Sequence, residues 1–164
     1  MLTNPFFHWL DVIYSFFLKL GSNLQSFFLL YMRITWGHQF IITGIKKLQD
    51  IEGTAALFTK LNIPSPYFHA YEVGAVESIC GILLLIGFAS RIAVIPLIIV
   101  MLTALSTAHA AALANLKFVI DPHLLVIERP YPYLITSIVV FIFGPGRISI
   151  DAWLKRWVDN QPRY

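Results

Sequence analysis

The chain has 164 residues, 57% of them apolar and only 13% charged, with a net charge of +3 and a mean hydropathy of +0.70. Soluble domains carry roughly a quarter charged residues, so water is not the main solvent here and the length leaves no room for a second, soluble domain. The basic residues are scattered between apolar runs instead of forming a stripe, which argues against nucleic acid and for anionic lipid.

In chain order, Phe6, Phe7, Leu10, Ile13, Phe17 and Leu20 recur at helical spacing behind Asn4-Pro5, which predicts a helix over 5–20 lying in the membrane interface. Asp11 and Lys19 interrupt it too often for a secretory signal, so it is expected to be retained. Gly21-Ser22-Asn23 is expected to end it, and an apolar run over 26–46 is long enough to cross a bilayer. A polar connection follows, in which Ala55, Leu57 and Phe58 suggest a short surface helix. Ser65-Pro66 has the form of an N-cap and first helical residue before a second span over 67–88. Ser90 is placed to cap a third span over 91–116, bent near Pro96. A fourth, over 130–143 and closed by Gly144-Pro145-Gly146, provides about 20 Å of helix against a hydrocarbon core of about 30 Å. Ser149 is expected to cap a last amphipathic helix over 149–158, with Trp153 and Trp157 on one face. The expected fold is thus all-α: an integral membrane four-helix bundle with amphipathic interfacial helices at both ends. Four crossings put both termini on one side, and the excess of Lys and Arg there favours the cytoplasm.

Ionisable side chains inside a bilayer are costly and normally face the bundle interior, so they mark function by default. Arg33, Gly37, Phe40, Gly44 and Lys47 share one helical face, and Gly74, Glu77 and Gly81 form a small-residue surface around a carboxylate. Helical rise suggests an inner layer pairing Arg33 with Glu77, an outer layer of Lys47, Glu72 and His109, and His38 near mid-depth. These six residues are the candidate ligand-binding or proton-linked groups, and an Arg33–Glu77 pair that only fixes helix register is an equal reading. No metal-like spacing of His, Cys and carboxylates occurs, so no metal is expected. The single cysteine, Cys80, rules out an internal dithiol. No phosphate-binding glycine loop, nucleophile elbow or paired-histidine zinc motif is present, so no catalytic residue is assigned.

Taken together, these residues resemble the DoxX family of small bacterial membrane proteins. The matching pieces are the Arg33-to-Lys47 face; Ile63-Pro64; Glu77, Gly81 and Leu83 to Leu85; Gly87 and Arg91; and Gly144-Pro145-Gly146 with Ser149 to Asp151, across residues 29–155. The resemblance implies a multi-pass protein of the bacterial inner membrane. It also implies association with quinone-linked redox systems, because a related protein is the small subunit of a thiosulfate:quinone oxidoreductase, although other relatives look like accessory factors. Two functions follow as expectations: a redox-associated subunit whose polar cavity holds a quinone head group, or a non-catalytic accessory or assembly protein docking another membrane subunit. Small-solute or proton transport is a third, resting only on the buried ionisable groups.

Overall fold

The computed structural model describes residues 5–110 and 126–161. Its regular structure there is entirely α-helical: α1 (Pro5–Gln49), α2 (Ile51–Lys60), α3 (Pro66–Ile86), α4 (Ser90–Thr107), α5 (Pro130–Phe143) and α6 (Ile150–Asp159). Residues 111–116, expected to complete the third span, lie outside the described residues.

α1 packs on α3, α3 on α4, α4 on α5, and α5 returns to α1, while α2 lies against α3. The centre is filled by Phe40, Leu84, Val94, Leu97, Met101, Leu105, Leu134 and Val140. Outward, α3 exposes Tyr67, Phe68, Tyr71, Ile79 and Ile82, α4 exposes Ile92, Ile95, Ile99 and Leu102, and α5 exposes Phe141, Ile142 and Phe143. Apolar surface this continuous is uncommon on soluble monomers and belongs to a protein solvated by lipid. α3 and α4 are each long and apolar enough to cross a membrane, and α5 is apolar but shorter, at 14 residues.

The break expected at Gly21-Ser22-Asn23 does not occur, because α1 runs through it as one helix of 45 residues, about 67 Å long. A glycine inside a helix costs only about 1 kcal/mol, and the Ser22 hydroxyl donates back to the carbonyls of Leu18 and Lys19, which keeps it within the helical path. Residues 9–25 are exposed except for half-buried Ile13, and tight packing begins at Ser26 and Leu29.

Two of the three expected caps differ as well. Ser65 stands in the left-handed region (φ 46°) without a side-chain cap, and α3 instead begins on the fixed φ of Pro66. Ser90 lies inside α4 with its hydroxyl buried and unpaired, and the helix start is satisfied from elsewhere in the chain. Ser149 does cap α6, accepting from the Ala152 amide at 3.1 Å. α2 has a cap the spacing did not suggest, Asp50, which accepts from the Gly53 amide at 3.0 Å.

The α1–α3 interface is set by glycines. A methyl group at Gly44 would meet the Ser78 Oγ at 2.5 Å and its amide nitrogen at 2.6 Å, whereas one at Gly21 would meet nothing within 4 Å. The two backbones therefore touch where side chains normally hold helices apart. Gly44→Ala is expected to destabilise by about 1–3 kcal/mol through overpacking, while Gly21→Ala is neutral or stabilises by up to about 1 kcal/mol through helix propensity. Thermal unfolding of both variants in one detergent checks this, and equal melting temperatures would contradict the close approach.

Candidate functional site

The glycine contacts also set the register of α1 against α3. Gly37 lies opposite Leu85 and Gly44 opposite Ser78, so a step along one helix is matched by an equal step back along the other. Lys47 is thereby brought to the level of Glu77, and Arg33 to the turn beyond the end of α3. Arg33 and Glu77 stand about 12 residues apart in this register, or roughly 18 Å along the axis. No arginine side chain spans that distance.

The expected Arg33–Glu77 pair is therefore replaced by two separate arrangements. In the first, the Lys47 ammonium donates to Glu77 Oε2 at 2.5 Å. The Glu77 side chain is 3% exposed and that of Lys47 is 29% exposed, so a buried carboxylate is reached from the surface through one cation. One turn further along α3, Gly81 admits the Phe40 side chain. Phe40 and Trp36 each meet the ring of Tyr133 on α5 edge-on, at centroid distances of 4.8 Å.

In the second, the Arg33 guanidinium, 2% exposed, donates to main-chain carbonyls: those of Pro145 and Ile148 through Nη1, and that of Leu85 through Nη2. Among the described residues, its buried Nε meets no hydrogen-bond partner. Leu85 belongs to the last turn of α3, whose carbonyls lack intrahelical donors, so the cation also complements the negative end of that helix. Across the turn, Asp151 does the converse. Its two carboxylate oxygens accept from the amides of Ala89 (2.7 Å) and Ser90 (3.0 Å) at the start of α4, and its own amide donates to the Gly87 carbonyl. Gly87 sits between these groups at φ 73°, where an added methyl would meet Arg33 Nη1 at 2.7 Å and Ser149 Cβ at 2.6 Å. Only glycine fits both the backbone and the space. Arg91 fastens the same end to α5 by donating to the Ile142 carbonyl at 3.3 Å.

The remaining candidates do not join either arrangement. Glu72 is half exposed and pairs with His69 at 2.7 Å, one turn away on α3. His109 contacts Glu128. His38 is exposed on α1. The outer layer of Lys47, Glu72 and His109 is thus distributed over three places, because the register carries Lys47 inward to Glu77 while Glu72 lies on the outer face of α3. Among the described residues, no three His, Cys, Asp or Glu side chains cluster to hold a metal ion.

Lys47 thus leaves the outer layer for Glu77, and Asp151 joins the charged contacts although its spacing gives it no role. Matching the glycines of α1 to those of α3 would have found the first, since small residues in facing helices pair at the point of closest approach. No sequence signal relates Asp151 to the amides of residues 89 and 90, 62 and 61 positions away.

The ion pair makes a measurable claim. Lys47→Met leaves Glu77 buried without its cation and is expected to cost about 3 kcal/mol or more, whereas Lys47→Met with Glu77→Met recovers most of that loss. Thermal unfolding of the single and double variants tests the coupling, and additive losses would show that the pair does not exist in the folded protein.

Residues 28–110 match the model of the DoxX family. "Putative oxidoreductase CatD" of Bacillus subtilis is 31% identical over 131 residues, covering 80% of this chain and 90% of that protein. "Uncharacterized membrane protein Rv3486" of Mycobacterium tuberculosis is 30% identical over 131 residues, covering 76% of this chain and 80% of its own length. No solved structure matches the chain significantly.

Proposed function

Because this chain belongs to the DoxX family of membrane proteins, we propose that it is a redox-associated membrane subunit in which the Lys47–Glu77 pair is the proton-exchanging group. The single observation carrying this reading is a carboxylate buried between α1 and α3 whose cation stays partly open to the outside. Arg33, held by three carbonyls, serves the fold instead. The relative named as an oxidoreductase supports the redox assignment.

A quinone head group suits this pair better than it suits the six-residue cavity, whose members stand apart. Reduction of a quinone turns two carbonyl oxygens into hydroxyls and takes up two protons. Lys47 Nζ can donate a hydrogen bond to a carbonyl oxygen at the protein surface, and Glu77 can hold the proton that passes through it. One cysteine in the whole chain leaves no internal dithiol to supply electrons, so the electrons come from a partner subunit. We place the protein in the bacterial inner membrane with α1, α3, α4 and α5 crossing and both termini cytoplasmic.

The test is Glu77→Gln in host membranes. It is expected to lower quinone-dependent electron transfer at least tenfold while the purified variant keeps its fold, and the purified native protein should bind a soluble quinone analogue saturably. Unchanged membrane activity together with no saturable binding would end this reading.

A second reading, an accessory or assembly protein that docks another membrane subunit, is favoured by the exposed side chains of residues 9–25, which include Trp9, Tyr14, Phe16 and Phe17. Under it, cross-linking from position 14 in intact membranes captures one defined partner, and alanine in place of Trp9, Phe16 and Phe17 abolishes the adduct. A ladder of unrelated adducts would count against it.

A further inference from the structure

The end of the molecule that carries the Arg33 and Asp151 contacts also carries an open groove of about 670 Å³ between α1, the start of α4, the corner after α5, and α6. Its walls are of two kinds. Exposed Ile92 and Phe143, with buried Leu29, form an apolar part, and Ser22, Gln25 and Ser26 of α1 line a polar part. Arg91, Arg147 and Lys155 bring three cations to it.

One carboxylate also lines the groove, Asp151, but both its oxygens accept amides of the α4 start. Its charge is directed into the protein, beside the Arg33 guanidinium on the far side of Gly87. The Arg91 guanidinium is partly engaged with the Ile142 carbonyl. Arg147 and Lys155 are exposed residues, and the Arg147 contact in this region is made by its carbonyl, which accepts from Arg156. A net positive potential therefore faces the open space. On α6, Trp153 and Trp157 are exposed on either side of Lys155 in the chain. Tryptophans on such an amphipathic helix favour headgroup depth, where lipid phosphates lie.

The geometry points to this groove as a binding site for the phosphate of an anionic phospholipid, held by Arg147, Lys155 and Arg91 with one acyl chain along Ile92 and Phe143. Basic pockets between membrane helices recognise lipid phosphates by this chemistry, with cations for the headgroup and hydrocarbon for the tail. A soluble phosphate would use the cations without the apolar wall. The site is separate from the Lys47–Glu77 pair and stands whether or not that pair has a redox role.

Native mass spectrometry of the full chain, released from a neutral detergent containing phosphatidylglycerol or phosphatidylcholine, tests the proposal. One phosphatidylglycerol per chain is expected to be retained saturably and in preference to phosphatidylcholine, and millimolar inorganic phosphate should not displace it. Lys155→Gln should weaken retention about fivefold and Arg147→Gln with Lys155→Gln roughly thirtyfold, each cation near the surface contributing a similar factor. Lys46→Gln, at the opposite end of the bundle, should leave retention unchanged. Equal retention of the two lipids, displacement by inorganic phosphate, or an equal loss in Lys46→Gln would each overturn it. Because Lys155 is an exposed residue of α6, its single variant remains informative even if the double variant folds poorly.

Discussion

A guanidinium buried among main-chain carbonyls is the contact on which the rest of this molecule depends. Arg33 lies on the longest helix and reaches the end of α3 and the corner after α5 at once, so three parts of the chain converge on one cation. In hydrocarbon, a charge without partners costs several kcal/mol, and so does each unsatisfied carbonyl. The arrangement reduces both penalties together, through Nη1 and Nη2 of the guanidinium. It also explains why Asp151 is where it is: the turn that presents the Leu85 carbonyl to Arg33 must restart as α4, and the first amides of α4 need acceptors that no local side chain provides. Ser90 could have supplied one, but its hydroxyl is buried and unpaired. Asp151 supplies two.

That construction assigns the buried charges different tasks. Arg33 and Asp151 each complement a helix end, the cation at the negative end of α3 and the anion at the positive end of α4. Their partners are main-chain groups that cannot ionise. Lys47 and Glu77 are each other's partner, a side-chain cation and a side-chain anion in direct contact. This difference, more than depth in the membrane, is why the functional reading rests on the second pair. The glycine-lined contact of α1 with α3 makes that pair possible, since side chains at residues 44 and 74 would separate the helices and let solvent or lipid enter between Lys47 and Glu77.

The two ends of the bundle are consequently unlike. One is closed by backbone contacts around Arg33 and bordered outside by Arg91, Arg147 and Lys155. Toward the other, Lys47 in the last turn of α1 reaches Glu77 midway along α3. The remaining ionisable contacts at that end, Glu72 with His69 and His109 with Glu128, are partly exposed. Arg33, Asp151 and Lys47 act at helix ends, where the backbone itself is polar, whereas Glu77 is held within α3 by its cation.

Composition and apolar run lengths by themselves determined that this is an all-helical membrane protein, because a bilayer admits only helices or closed barrels and apolar runs near 20 residues fit a helix, not a strand. They also drew attention to the Arg33-to-Lys47 face, to Glu77 and to the Gly-Pro-Gly corner, residues whose contacts the tertiary structure then supplied. The continuity of α1 was not legible, since Gly21-Ser22-Asn23 has the composition of a break and its helical state relies on Ser22 bonding back along the turn. Nor were the partners. Helical spacing says which residues share a face, but which residues meet across two helices depends on their relative sliding. That sliding was settled only when the glycines of α1 and α3 came into contact. A shift of about 18 Å separates the Arg33–Glu77 pair suggested by spacing from the Lys47–Glu77 pair that tertiary packing formed, and it left Arg33 to find its partners in carbonyls that no side-chain pattern reveals.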